Sequence, residues 1–269
     1  MLDGLHTMSI DFSPYSELPV ILLAAGRGER MRPLTDSTPK PLLEVRGKTL
    51  LAWRLEALQR AGLHHVLINT AWLGSQIPAR LGTHFDGPGG ALPSVQLRYS
   101  HEGDDFGHAL ETAGGIARAL PALDVLFWAM AGDVFAPDFL FESPEPTVML
   151  RLRNATLLGH IWLIPNPVNN PQGDFGWDPV SGLALNLDAA DPRARWTYST
   201  IGIFHRDLFA PPWCAIAPGN PNGTRAALAP LLRAAMDQGR ISASLYTGSW
   251  TDVGTPERLA ALNLPFTAP

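Results

Sequence analysis

Cysteine is nearly absent: Cys214 is the only one in 269 residues. No internal disulfide can form, and the expectation is a protein of the reducing cytoplasm. Lysine is nearly absent too. Of the 20 basic residues only Lys40 and Lys48 are lysines; the rest are arginines. Long apolar runs are missing. No stretch approaches the roughly 20 residues that a helix needs to span a bilayer, and the longest candidate, 124–134, runs into Gly132-Asp133. No membrane partner is expected. A basic excess is missing as well, since the net charge is −5. A nucleic-acid surface would want a basic stripe, so no nucleic-acid partner is expected, while a small anion could still be held in a local basic pocket. The eight histidines show no metal-ligand spacing. Residues 1–17 lack a basic segment followed by an apolar core. They read as an N-terminal extension, poorly ordered at its start, rather than a signal peptide.

What is present points to one α/β domain over residues 18–269. Hydrophobic residues make up 46%, enough for a sizeable core. Residues 20–24 read as a short apolar strand, and 49–61 as a helix with Leu51, Leu55 and Leu58 on one face and Gly62 as its stop. Residues 65–69 are a continuous apolar strand, which suits a parallel strand covered on both faces. A helix over 75–81 with Ser75 as N-cap, a strand over 95–99, a helix over 112–120 and a buried strand over 125–131 follow. This is a βαβαβαβ order, which predicts a doubly wound sheet with ligands at the carboxyl ends of its strands. Further strands are expected at 160–164, 183–187, 196–204 and 241–250. The segments 88–90 and 143–146 read as surface loops, and helices are expected at 228–236 and 255–262. This second half should extend the sheet and build one wall of the pocket.

The stretch LLAAGRGERMRPLTDSTPKPLL, 22–43, carries the chemistry. Gly26-Arg27-Gly28 directly after a strand suggests backbone amides wrapped around an anion. A dinucleotide fingerprint would need a third glycine where Met31 stands, and a P-loop would need Gly-Lys-Ser/Thr; neither is present. Arg27, Arg30, Arg32 and Lys40 supply charge that suits a triphosphate. In a chain so biased to arginine, a lysine kept within Thr-Pro-Lys-Pro is a candidate for work that a planar guanidinium cannot do, since a compact ammonium can follow a moving phosphate oxygen. Gly132-Asp133 after a strand fits a metal ligand or, equally well when taken alone, an Asx-turn or helix cap.

Leu23-Ala24-Ala25-Gly26-Arg27-Gly28-Glu29-Arg30-Met31-Arg32-Pro33, then Thr38-Pro39-Lys40-Pro41-Leu42, Gly132-Asp133 and Trp250-Thr251-Asp252-Val253-Gly254-Thr255, resemble the signature of the sugar-phosphate nucleotidyltransferases. The resemblance runs through nearly the whole chain from Leu18. It implies a Rossmann-like nucleotidyltransferase fold, with a mixed, mostly parallel sheet and helices on both faces. It also implies the joining of a nucleoside triphosphate to a sugar 1-phosphate with release of pyrophosphate. Within the family the chain is most similar to the short uridylyltransferases that act on N-acetylmuramate 1-phosphate in peptidoglycan recycling. The segments that carry this are INTAWLG (68–74), LETAGGI (110–116), Asn166-Pro167, Gly173-Asp174-Phe175 and LAPLLRAAM (228–236). The substrates so implied are UTP and N-acetylmuramic acid 1-phosphate. Guanylyl or thymidylyl transfer to a hexose 1-phosphate, cytidylyl transfer to a phospho-alcohol, and a non-catalytic nucleotide-sugar sensor are the competing readings. A sensor would be expected to have lost Lys40, Asp133 or Asp252, and all three are present.

The resemblance also implies roles. Ala24, Ala25 and the Gly26, Arg27, Gly28 and Glu29 backbone would line the nucleotide phosphates, with Arg30 on the β- and γ-phosphates. Lys40 would neutralise the α-phosphate and the incoming phosphate. Asp133 and Asp252 would hold Mg2+ between them. Gly114 and Gly115 would let backbone approach the base. Uracil N3–H would be accepted by Glu111 or by a backbone carbonyl, although a first-turn acid such as Glu111 also complements the helix dipole without any ligand. Asn69, Trp72, Asn166, Asp174 and Thr200 are candidate sugar contacts, with Trp72 equally suited to core packing. Two departures stand out: the segment 101–109 is longer than its counterpart in the relatives, and the late lysine that some relatives place on the sugar phosphate is missing. The metal, Lys40 or an arginine must cover that role.

Overall fold

The computed structural model of the chain describes residues 18–188 and 190–264; the expected extension over residues 1–17 lies outside them. The strands are β1 (Val20–Leu23), β2 (Glu44–Val45), β3 (Lys48–Thr49), β4 (His65–Thr70), β5 (His84–Phe85), β6 (Val95–His101), β7 (Leu126–Ala131), β8 (Val134–Phe135), β9 (Gly159–Ile164), β10 (Phe175–Asp178), β11 (Leu183–Leu185), β12 (Arg195–His205), β13 (Ile241–Leu245) and β14 (Thr251–Asp252). The helices are α1 (Leu50–Arg60), α2 (Gln76–Leu81), α3 (Glu102–Phe106), α4 (Glu111–Ala119), α5 (Pro146–Arg153), α6 (Leu228–Met236) and α7 (Pro256–Asn263).

Ten strands form one sheet in the order β10-β11-β13-β9-β12-β7-β1-β4-β6-β5. β1 pairs in parallel with both β4 and β7, with Val20 opposite Val66 and Trp128. β12 lies antiparallel between β7 and β9, and β5 and β11 also run against the majority. The sheet is therefore mixed and mostly parallel in strand direction, as the resemblance implied.

The continuous apolar strands are explained by burial on both sides. Val20 and Leu22 of β1 pack on one face with Leu51, Leu55 and Leu58 of α1 and Met149 and Leu152 of α5. Ile21 points the other way, into a cluster with Ala113 and Ile116 of α4 and Leu231 and Leu232 of α6. Alternation along the strand sends successive side chains to opposite faces, so both faces need helices. α1 starts where expected, because Thr49 accepts a 3.1 Å hydrogen bond from Ala52 N–H and so caps the first turn.

Several local expectations change. Ser75 precedes α2 but makes no side-chain capping bond. Pro146 is not loop; it opens α5, where its missing N–H costs nothing. Phe175–Asp178 adds a strand with no counterpart among those expected, and Asp178 leads the turn into β11. The strand expected over 241–250 stops at Leu245. Beyond it, Trp250 Nε1 donates to Ser199 O at 3.0 Å, which pulls the chain across β12 instead of along the sheet.

Three features place the site. The carboxyl ends of β1, β4 and β7 open on one edge. The small β8–β14 ribbon sets Asp252 opposite Val134, next to Asp133. Finally, β12 changes register between Tyr198 and Gly202, a bulge that turns Thr200 out of the ladder.

Candidate active site

The glycine loop after β1 is built around Gly28. Its φ is +65°, and a Cβ there would lie 3.1 Å from Thr35 Cγ2 and 3.3 Å from Lys40 Cβ, so the turn requires glycine. Thr35 Oγ1 donates to Gly28 O at 2.9 Å, tying the loop to the segment that leads to Lys40.

Two of the loop's arginines are spent internally. Arg27 donates to Thr35 O at 2.9 Å and to Asp36 Oδ1 at 2.8 Å, and its guanidinium stacks 3.8 Å from the centroid of a Trp72 ring. Arg32 donates to the same Asp36 oxygen at 2.8 Å. Arg27 above all holds the Asp36 carboxyl below its ordinary range. Trp72 Nε1 in turn donates to Thr35 O at 2.9 Å. Arg27 and Trp72 thus form one wall of the cleft. Arg30 is exposed and makes no ion pair among the described residues, which leaves its guanidinium available.

Lys40 and the two aspartates do come together. Lys40 sits in a one-turn 3-10 segment, Lys40–Leu42, and is buried. Its Nζ lies 2.5 Å from Asp133 Oδ2 and 3.6 Å from Asp252 Oδ1. Val253 N–H donates to Asp133 O at 3.2 Å, fixing the two aspartates side by side. Arg258 Nη1 donates to Asp252 Oδ2 and to Asp252 O, both at 2.9 Å. Below them is Arg54, only 2% exposed, whose three guanidinium nitrogens have no partner among the described residues. Burial draws Arg54 down to about 10, against the fields of Tyr246 and Asp133, which favour its charge.

A cleft of about 900 Å³ opens from Arg27 and Trp72 to Arg225 and Leu232. A smaller recess of about 290 Å³, lined by Gly28, Arg30 and Lys40, shares Leu23, Gly26 and Asp133 with it. The phosphate loop, the Lys40 cluster and the cleft are therefore continuous. Ala24 and Ala25 are both buried, Ala24 lining the recess and Ala25 the cleft. Glu29 lines the recess.

Other expected residues are placed differently. Gly114 and Gly115 are buried within α4 and do not line the cleft. A Cβ at Gly114 would meet Thr224 O at 2.5 Å, and one at Gly115 would meet Glu102 Oε1 at 2.6 Å. Their lack of a side chain lets α4 pack against these groups. Asn69 reaches the cleft floor with one bond at each end of its amide. Its Oδ1 accepts from Ala24 N–H at 2.6 Å and its Nδ2 donates to Glu102 Oε1 at 2.7 Å. Asn166 and Asp174 brace the loop after β9 instead of lining the cleft: Asn166 Nδ2 donates to Arg195 O at 3.0 Å, and Asp174 Oδ2 accepts from Tyr198 N–H at 2.8 Å. Glu111 lines the cleft at φ +60° and pairs with Arg225 at 3.2 Å. Thr200 lines it at φ +65°, and its buried Oγ1 has no partner among the described residues.

The structure adds residues that the sequence reading missed. Glu102 is buried, accepts from Asn69 and from Leu110 N–H at 2.8 Å, and is pushed upward in pKa by burial. Arg225 and Tyr198 line the cleft, and Arg258 backs Asp252. Only Arg54 left a periodic trace: it stands three residues after Leu51 and four before Leu58, on the helix stripe that faces the core.

Two carboxylates beside a lysine, a glycine loop carrying a free arginine, and a long cleft are the parts of a site that moves a phosphate-linked group. Residues 20–134 match the MobA-like NTP transferase domain. The N-acetylmuramate alpha-1-phosphate uridylyltransferase of Neisseria meningitidis serogroup B is 42% identical over 243 residues, covering 90% of this chain and 95% of that protein. The mannose-1-phosphate guanylyltransferase catalytic subunit beta of Drosophila pseudoobscura pseudoobscura is 38% identical over 126 residues, covering 46% of this chain and 31% of that protein. The inositol-1-phosphate CTP transferase from T. maritima shares the fold, with a TM-score of 0.63 at 14% identity over 94% of this chain and 99% of that one. The chain belongs to the sugar-phosphate nucleotidyltransferases. It is an enzyme of that family, with the family's Rossmann-like fold.

Proposed function

We propose that the enzyme transfers a uridylyl group from UTP to N-acetylmuramic acid 1-phosphate, giving UDP-N-acetylmuramic acid and pyrophosphate. The likeness to the Neisseria protein over nearly the full length of both chains supports this choice of substrates. The position of Lys40 between Asp133 and Asp252 at the junction of recess and cleft supports the chemistry.

An oxygen of the sugar phosphate attacks the α-phosphorus in line; the new P–O bond forms as the bond to pyrophosphate breaks. Such transfers need alignment and charge neutralisation more than covalent help. The amides of residues 26–29 and the Arg30 guanidinium hold the β- and γ-phosphates in the recess. Lys40 turns its ammonium from Asp133 to the α-phosphate. Asp133 and Asp252 supply hard carboxylate oxygens, the donor type that suits Mg2+. When bound, that ion supplies Lewis-acid polarisation of the phosphate. The nucleoside lies along the wall formed by Gly107 and Glu111, and the sugar toward Trp72, Tyr198, Thr200 and Arg225. Arg225 is the cation on the sugar side and takes the place of the missing late lysine.

Residues 18–269 act as one catalytic unit. The product makes this a cytoplasmic enzyme of nucleotide-sugar formation in peptidoglycan recycling. The guanylyltransferase likeness over 46% of the chain favours one second reading, GTP with a hexose 1-phosphate. A pyrophosphate-release panel decides: four nucleoside triphosphates crossed with N-acetylmuramic acid, glucose and mannose 1-phosphates, with and without Mg2+. Release with UTP and N-acetylmuramic acid 1-phosphate is expected. Preference for GTP with mannose 1-phosphate would sink the substrate assignment and keep the chemistry.

A further inference from the structure

The Lys40 ammonium is engaged by the same two carboxylates that the metal reading needs. Its Nζ lies 2.5 Å from Asp133 Oδ2 and 3.6 Å from Asp252 Oδ1, with the side chain 9% exposed. The second oxygen of Asp252 is held by Arg258 at 2.9 Å. Arg54 adds a third cationic side chain, buried, unpaired among the described residues and within the field of Asp133. Two carboxylates are therefore matched by two cationic side chains, from the 40–42 turn and α7, with the Arg54 charge of α1 buried within the field of Asp133. A bare divalent cation meets carboxylates whose charge is already neutralised.

Coordination argues the same way. Among the described residues no group of three or more His, Cys, Asp or Glu side chains could enclose a metal. Mg2+ demands octahedral oxygen ligands and is commonly held by one or two carboxylates together with substrate phosphates. Asp133 and Asp252 offer the first part of such a set; only a nucleotide offers the second.

We propose that Lys40 is the resident cation of the Asp133–Asp252 pair. It keeps free divalent cation out and yields only when a nucleotide arrives, so that the enzyme takes up metal and nucleotide as one unit. The proposal rests on reading this cleft as the nucleotidyl-transfer site. Incoming phosphates act twice: they draw the ammonium off Asp133, and they supply the oxygens that the two carboxylates lack. Lys40 thus serves as counter-ion before binding and as phosphate ligand after it. A flexible four-carbon stem with a compact charge suits this exchange better than a planar guanidinium fork.

The test is a titration of Mn2+ alone into the full chain, with free Mn2+ counted by electron paramagnetic resonance and no substrate present. The wild type is expected to bind Mn2+ weakly. K40M, which keeps the stem and removes the charge, is expected to bind at least tenfold more tightly. Adding D252N to K40M should abolish that gain, and K40R should stay as weak as wild type. Circular dichroism checks each fold, and K40Q replaces K40M if the latter unfolds. A non-hydrolysable UTP analogue should raise Mn2+ affinity of the wild type beyond that of the analogue alone. If the wild type binds Mn2+ as tightly as the charge-free variant, or if that variant gains nothing, the proposal is overturned. The metal-only titration does not depend on which sugar or nucleotide is used, so an error in the substrate assignment leaves it unchanged. The analogue arm is repeated with whichever nucleotide the release panel selects.

Discussion

Glu102 and Asn69 are joined by a 2.7 Å hydrogen bond from Asn69 Nδ2 to Glu102 Oε1. The same asparagine accepts from Ala24 N–H, and the other Glu102 oxygen accepts from Leu110 N–H. One chain of bonds therefore links the start of the phosphate loop to the loop that enters α4. Both Glu102 partners are donors, so only a carboxylate, which accepts at both oxygens, satisfies the two. Glu102→Gln turns one acceptor into a donor facing a donor. We expect the KM for nucleotide to rise about tenfold with kcat nearly unchanged, as for the loss of one hydrogen bond to a charged group. Steady-state kinetics at saturating sugar phosphate checks this, and an unchanged nucleotide KM would remove Glu102 from the loop's support.

Acid pH should act at the same place. Burial pushes Glu102 above its ordinary value, while the bonds from Leu110 and Asn69 and the charges of Arg118 and His108 oppose the shift. Protonation puts an O–H against one of the two donors, so nucleotide KM should climb as pH falls through the raised pKa. Stability carries the opposite sign. A carboxyl with a higher pKa in the folded than in the unfolded chain binds its proton more readily when folded, so this group favours folding as pH falls toward about 4.5. A pH profile of nucleotide KM, measured where melting shows the enzyme folded, separates the two effects.

Thr200 is a β-branched residue at φ +65° with its Oγ1 buried and unpaired among the described residues. Such backbone costs about 1–3 kcal/mol and persists where surrounding structure enforces it. Thr200→Gly relieves the strain and removes the orphan hydroxyl, so Tm should rise by about 2–4 °C. Thr200→Val keeps the shape and loses only the hydroxyl; the KM for sugar 1-phosphate should rise about tenfold, with nucleotide KM unchanged. A Val variant with normal sugar KM would show the hydroxyl to be idle.

Lys40→Arg keeps the charge but cannot keep the exchange between aspartate and phosphate. Turnover is expected to fall by about 100-fold or more, measured as pyrophosphate release. A fully active arginine variant would contradict the argument from the lysine-poor composition.

Asp133→Asn and Asp252→Asn should each reduce turnover by about 100- to 1000-fold while circular dichroism stays native. Near-normal activity in either variant would take that carboxylate out of the metal set.

Much of this was legible because it is local. The apolar run of β1, the turn at Gly28 and the helix after Thr49 follow from neighbours in sequence. Asp133 and Asp252 are 119 positions apart by number, yet each sits in a distinctive short motif, and the β8–β14 ribbon joins them. What was not legible was contact made by packing. Gly114 and Gly115 pack tightly against Thr224 and Glu102, a contact which no local pattern reveals. Asn69 reads as a polar group at a strand end, and only the folded chain shows both ends of its amide already bonded. Thr200 owes its conformation to a register shift in β12, a property of the pairing rather than of the residues.

The central claim is uridylyl transfer to N-acetylmuramic acid 1-phosphate in this cleft. The most direct measurement is a single competition reaction. UTP, GTP, CTP and dTTP are mixed at equal concentration with N-acetylmuramic acid and glucose 1-phosphates and Mg2+, and the products are identified by mass spectrometry. UDP-N-acetylmuramic acid as the dominant early product is the predicted result. A dominant GDP-, CDP- or dTDP-sugar, or a UDP-glucose product, would contradict it.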